Sequence, residues 1–383
     1  MKPGKLIVAL SLAAVIVSCS KNKDNSEPPA LLVDIDQPIA LQHQWSIDTN
    51  ASGNRGGYRL RPLILDNQVF TIDSKGAIKS YLLTNGKKLW NFDTGLAVIT
   101  GLGGNAQVLV AASKDGEVVA FRQLKEGLEK IWQTNIASEV RAAPVVDKDR
   151  IFIRSIDGKL RSLSAETGVQ QWEVSRRVPA LSLTGNSEPL VIADRVISGF
   201  DDGKLIAYDR SNGKIAWEST VSRPQGRSEI ERLVDVDGSF VSADGVIYVS
   251  SYQGQLVAIQ GVSGDILWAR DFSSFQPIAI DSGTIYLSMD NSHIWAIDRR
   301  TGAALWRQDA LNARRVTAPV LVGDKLVVAD LEGYLHWLDR AEGRLLGRIR
   351  PTEVRNYVEP QLWQNALISL DKDGILSLVV EQE

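Results

Sequence analysis

Cys19 is the only cysteine in 383 residues. With no second thiol the chain has no disulfide framework, no thiolate metal site and no expected cysteine nucleophile. The carboxylates offer little more. Asp235-Val236-Asp237-Gly238 and Asp371-Lys372-Asp373-Gly374 each place two acids as a calcium loop begins. Neither run supplies the further acidic ligands such a loop requires, and both read as turns in which Asx side chains cap backbone N–H groups. His43, His293 and His336 are scattered without ligand spacing, so they read as surface or packed strand residues. The tryptophans are numerous enough to suggest a glycan or quinone platform, but their fixed recurrence, described below, assigns them to the core. No catalytic residue, metal site or cofactor is expected.

Two irregular segments carry the remaining candidates. Val178-Pro179-Ala180-Leu181-Ser182-Leu183-Thr184-Gly185-Asn186-Ser187-Glu188-Pro189 contains Leu181 and Leu183, whose alternation suits a buried inner strand as well as an exposed apolar anchor. Glu229-Ile230-Glu231-Arg232-Leu233-Val234-Asp235-Val236-Asp237 places two carboxylates at the end of a charged stretch that also holds Arg223 and Arg227. Such a stretch reads first as a solvated loop.

The elements that must position these residues are repeats. From Asp202 to Trp217 the chain reads as a β-hairpin: Asp202-Gly203 makes one turn, Leu205 and Ala207 alternate along a strand, and Asn212-Gly213 supplies the positive φ of a second turn. The same frame returns with Trp172, Trp268 and Trp306, and in altered form with Trp90 and Trp132. A worn copy from Glu332 to Gly343 puts Gly347 where the ring should be. From Trp45 to Gly347 the spacings are 45, 42, 40, 45, 51, 38 and 41 residues, periods that mark four-stranded propeller blades. Each repeat also has an upstream half opened by proline, as in Ala143-Pro144-Val145-Val146 before Arg150-Ile151-Phe152-Ile153. A proline is tolerated at the start of an innermost strand. No segment has helical periodicity over a usual helix length, which excludes α/β architectures and their dinucleotide sites.

The two ends complement each other. The C-terminal copy has three strands, the last two over Ala366 to Leu370 and Ile375 to Val380, and the N-terminal copy is a lone fourth strand, Leu41 to Trp45. Joining them predicts an all-β, eight-bladed β-propeller of four-stranded antiparallel blades, closed by the N-terminal strand completing the C-terminal blade. Closure is expected to abolish the open sheet edges that invite aggregation.

Upstream of the repeats, Lys2 and Lys5 precede an apolar run from Leu6 to Val17 that is too short for a mature membrane anchor. It ends in Ile16-Val17-Ser18-Cys19, which resembles a lipobox, the cleavage motif of bacterial lipoproteins. That resemblance implies a signal peptide over residues 1–18 and lipidation of Cys19 with more than one acyl chain, enough for firm anchoring. Ser20 stands where lipoproteins kept in the inner membrane usually have aspartate, which favours the outer membrane. Residues 19–30 are polar and proline-bearing, a flexible tether, and residues 31–383 form one propeller domain. Loss of Lys2 and Lys5 takes the 43 basic residues to 41 against 46 acidic ones, a net charge of −5, which argues against nucleic acid as a partner.

The hairpin-plus-tryptophan repeat resembles the pyrroloquinoline-quinone-type propeller repeat, shared by quinoprotein dehydrogenases and by a periplasmic lipoprotein family. The chain lacks the roofing insertions and vicinal cysteine pair typical of the dehydrogenases, so a quinoprotein enzyme, or a glycan-binding periplasmic propeller, is the alternative rather than the main reading. Lipobox, repeats and the two irregular segments together resemble the BamB family, the lipoprotein subunit of the outer-membrane β-barrel assembly machinery, over essentially the whole mature chain. The resemblance implies a non-catalytic, outer-membrane-anchored scaffold facing the periplasm. It also implies binding to the POTRA domains of the barrel subunit BamA through Leu181, Leu183, Asp235 and Asp237. Unfolded outer-membrane proteins are possible clients, and the propeller is expected to be monomeric. The family's arginine after the leucines is Thr184 here, which removes one charge-assisted contact.

Overall fold

The period of about forty residues builds a ring of eight sheets in the computed structural model, which describes residues 27–52, 59–179, 187–222, 240–251, 254–274 and 276–382. All regular elements among them are strands, thirty-two in eight four-stranded antiparallel sheets, with no helix. Seven sheets run in chain order from inner to outer strand. They are blade 1 (residues 63–93), blade 2 (103–135), blade 3 (145–175), blade 4 (190–220), blade 5 (240–270), blade 6 (279–308) and blade 7 (320–349). Blade 8 takes its inner three strands from Gln361–Trp363, Ala366–Leu370 and Ile375–Glu381, and its outer strand from Leu41–Asp48. The closing pair runs antiparallel from Leu41 opposite Glu381 to Asp48 opposite Ile375, with a bulge between His43 and Trp45.

Burial explains why the strands read differently along each repeat. The second and third strands lie between neighbouring blades and are covered on both faces, so Arg150–Arg154 and Lys159–Ser164 are buried almost throughout. The outer strand has one covered side: in Gln170–Ser175 only Trp172 is fully buried. Six such rings lie on the glycine turn of the next blade; Trp90 is the exception, packing on Phe70 of its own blade, while a Cβ at Gly127 would meet nothing within 4 Å. The indole N–H of Trp217 donates to Gly261 O at 2.9 Å, and a Cβ added at Gly264 would sit 2.7 Å from the ring. Gly264 also has φ +81, so glycine is required twice there, by conformation and by space. Trp45, Trp132, Trp172, Trp268 and Trp306 make the same N–H bond to the following blade, at 2.9 to 3.1 Å.

Gly347 is an adaptation to closure rather than decay. The third and fourth strands of blade 8 come from opposite ends of the chain, so no glycine turn joins them and a ring at 347 would have no seat. Ile39 fills the space instead, and a Cβ at Gly347 would lie 2.7 Å from its Cγ1. Two expectations need correction. Residues 27–30, placed in the tether, already contact the ring: Ala30 N donates to Asn312 O at 2.9 Å and Asn312 Nδ2 to Glu27 Oε1 at 2.8 Å. Closure also does not abolish sheet edges. It seals the seam within blade 8, but radial packing leaves the far edge of each outer strand facing outward, and on blade 7 Ile39 N covers part of it by donating to Leu346 O at 3.0 Å.

Candidate partner-binding site

Strand direction alternates within a blade. The links from one blade's outer strand to the next blade's inner strand therefore emerge on the same face as the turns between second and third strands. Backbone bonds knit the two sets together: Ile156 N to Glu139 O at 3.1 Å, Leu331 N to Arg314 O at 3.0 Å, and Lys372 N to Arg355 O at 2.9 Å. This is the connection face. Cys19, Leu181, Leu183, Thr184, Asp235 and Asp237 lie outside the described residues, as do Arg223, Arg227 and Arg232. What the fold does determine is where their segments are anchored. Residues 180–186 fall between Gln170–Ser175 of blade 3 and Leu190–Ile192 of blade 4, and residues 223–239 between Ile215–Thr220 of blade 4 and Phe240–Ala243 of blade 5. The strand ends they join open on the connection face, on either side of one blade.

A network of charges stiffens that part of the rim. Arg154 is buried, its Nη2 3.4 Å from Asp201 Oδ1 and its guanidinium 4.7 Å from the Phe200 ring centroid. Arg161, also buried, bonds Glu173 at 2.9 Å and Asp157 at 3.0 Å, and Lys159 reaches Glu173 at 2.8 Å. Glu218 of blade 4 accepts from both Arg176 and Lys204. Burial raises the Asp201 carboxyl above its ordinary value, against the pull of Arg154. Burial would raise Asp157 as well, but hydrogen bonds from Ser155 and Arg161 outweigh it and hold the group low. The Lys159 hydrogen bond, with Arg161 beside it, lowers Glu173. These groups answer one another across blades 3 and 4, an arrangement suited to holding adjacent loops in register rather than to proton transfer.

The channel along the ring axis opens on the same face. It has a volume of about 720 Å³ and is lined at its mouth by Arg59, Arg61, Arg141, Glu188 and Glu359. Arg61 Nε lies 3.1 Å from Glu359 Oε1. Glu188 faces the channel water yet is ringed by protein, and that desolvation raises its carboxyl despite Arg61 and Arg59 nearby, with Glu359 adding to the rise. Among the described residues no group of three or more His, Cys, Asp or Glu side chains could hold a metal ion. The run beginning at Asp371 is a turn: Asp371 Oδ1 accepts from Asp373 N and Ile375 N, both at 2.9 Å. His336 is a packed strand residue bonded to Asp330 at 2.9 Å, while His43 is exposed and His293 half-buried.

Sequence reasoning missed the charge network. A signal was present: the second strands end in Ile72, Ala112, Gly199, Ser250, Ser288, Ala329 and Leu370, and only blade 3 ends in an arginine, Arg154. Its partner Asp201 is 47 residues away, in a turn whose other aspartate already accounts for the local pattern.

A family model described as "Outer membrane protein assembly factor BamB" matches residues 74–308 and 290–378. The outer membrane protein assembly factor BamB of Bordetella pertussis is 32% identical over 378 residues, covering 98% of this chain and 96% of its own. That of Pseudomonas aeruginosa is 34% identical over 342 residues, covering 89% of each chain. Among solved structures, BamB from Moraxella catarrhalis superposes with a TM-score of 0.80 at 23% identity, over 89% of this chain and 99% of its own. A quinohemoprotein alcohol dehydrogenase from Comamonas testosteroni gives 0.70 at 12% identity, over 89% and 76%, a likeness of fold alone.

Proposed function

Because the chain belongs to the family of the outer membrane protein assembly factor BamB, we propose that it is a non-catalytic scaffold lipoprotein of the outer-membrane β-barrel assembly complex. In this reading Cys19 carries the lipid anchor, the propeller faces the periplasm, and the partner is BamA, met through its POTRA domains. Leu181 and Leu183 supply apolar anchors that give affinity, and Asp235 and Asp237 supply charges that give register. Thr184 contributes a neutral contact at a position where the family has arginine.

The observation that carries this reading is the common placement of the two segments. Their anchoring strands bracket blade 4 on one face, with the 36 residues from 187 to 222 between the two segments in sequence. A single globular domain could touch both at once. The network of Arg154, Asp201 and Glu218 beside those anchoring strands favours a preorganised surface, which lowers the ordering cost of binding. Affinity capture of the tagged protein from detergent-solubilised envelope tests it. Wild type is expected to retain BamA, and Leu181→Ala with Asp235→Arg to lose it. Equal retention by the double variant refutes the assignment. Thr184→Arg is expected to strengthen retention by restoring the missing charge. Metabolic labelling with palmitate tests the anchor separately, and is expected to mark wild type but not Cys19→Ser.

A further inference from the structure

Residues 27–39 form a strap along the outside of blade 7. On the connection face, Asn312 holds Glu27 and Ala30, and Arg314 Nη1 donates to Ala30 O at 2.9 Å. Arg314 is itself fixed, buried with Nε 2.7 Å from Asp330 and also bonded to Glu332. Further along, Leu32 packs against the core around Leu311 and Val316, and Arg348 Nη2 donates to Val33 O at 2.6 Å. Ile39 then pairs with Leu346, at the start of the outer strand and therefore at the opposite face, where Leu41–Asp48 begins its return.

The strap decides from which side of the ring the N-terminal anchor leaves. If residues 27–40 were slack, the chain would attach at Leu41, on the face opposite the connection face, and the 22 residues from Cys19 would span up to about 75 Å and impose no orientation. With the strap docked, the chain leaves at Glu27 on the connection face. Seven residues, 20–26, separate it from Cys19, a reach of at most about 30 Å. We propose that the strap turns the connection face toward the bilayer surface, so that the strand ends at Ser175, Leu190, Thr220 and Phe240, which anchor the two candidate partner segments, face the gap between ring and membrane. The partner this geometry fits is a domain lying close against the membrane, three blades round the ring from the strap. The inference rests on the proposed anchoring through Cys19.

The test uses the chain from Cys19 onward, its sole thiol coupled to a maleimide lipid in phosphatidylethanolamine and phosphatidylglycerol vesicles. A fluorescent amino acid is placed either at Lys372, exposed on the connection face, or at Glu342, exposed on the opposite face, with an acceptor dye on the lipid. Energy transfer is expected to be several-fold greater from 372, and equal or greater transfer from 342 overturns the proposal. Asn312→Ala with Arg348→Ala, which spares the buried Arg314, is expected to erase the difference. A difference that survives shows that the strap does not set the orientation. Chemical coupling separates this from the proposed lipidation: absence of palmitate labelling at Cys19 in cells would defeat that reading while leaving the geometric result intact.

Discussion

Gly264→Ala measures how much of the ring's stability comes from stacking a tryptophan on the next blade's turn. Two costs arise at that position. A side chain at φ +81 carries the left-handed backbone penalty, about 1–2 kcal/mol. The added Cβ would also lie 2.7 Å from Cδ2 of Trp217, an overpacking that costs about 1–3 kcal/mol. Gly245 separates the two, because its φ is +77 and a Cβ there meets nothing within 4 Å. Gly245→Ala should therefore show the backbone term alone. Trp217→Ala removes a ring that is only 7% exposed, together with its hydrogen bond to Gly261, for about 4 kcal/mol. In the double variant the clash has no ring to meet, so Trp217→Ala with Gly264→Ala should be less destabilised than the summed single variants by about 1–3 kcal/mol. Equilibrium urea unfolding followed by circular dichroism gives the four free energies. Should Gly264→Ala cost no more than Gly245→Ala, or the cycle close to within about 0.5 kcal/mol, the ring-on-turn account is refuted.

His336 supplies a pH dependence. Burial holds its imidazole below the ordinary histidine value; Asp330 opposes this, and Arg314 and Arg348 add to it. The unfolded chain takes up a proton near pH 6.5 that the folded chain refuses, so stability falls as pH drops below about 6.5, by up to about 1.4 kcal/mol per unit. His336→Gln should flatten that slope in thermal melts between pH 7.5 and 5.5, and an unchanged slope rules His336 out. Asp201, Asp371 and Glu188, whose carboxyls are raised chiefly by burial, contribute in the opposite sense, and the comparison of slopes removes them. Trp45→Ala should loosen the seam of blade 8, costing about 3 kcal/mol. It is read as loss of amide-exchange protection over Ile375–Glu381 before any comparable loss in blade 4; simultaneous loss counts against a local seam.

Much of the fold was legible because each repeat states it again. The proline that opens an inner strand, the glycine at the second turn and the ring that follows are separated by a few residues to a few tens. Eight near-copies make a weak local signal unambiguous. Even Gly347, legible as an irregularity, marked the place where the chain's two ends meet. Candidate site residues were legible only as departures from the frame, since Leu181 and Asp235 have no repeated counterpart against which a role can be read. The outer edges were misjudged for a physical reason: closure joins blades through side-chain packing around the axis, and hydrogen bonding within each blade still ends at its outer strand.

The sequence by itself determined the all-β architecture, the eight blades and the exchange of strands that seals them. The contacts responsible recur every forty residues or so and depend on residue type at fixed positions. Only the tertiary structure decided how Arg154 meets Asp201, how Glu188 comes to share the channel mouth with Arg61 and Glu359, and how residues 27–39 are strapped to blade 7 by Asn312, Arg314 and Arg348. Those contacts join residues up to about three hundred positions apart, each made once. Pairings made once leave no periodic trace in a chain, and they appear only when closure of the ring brings distant segments to the same face.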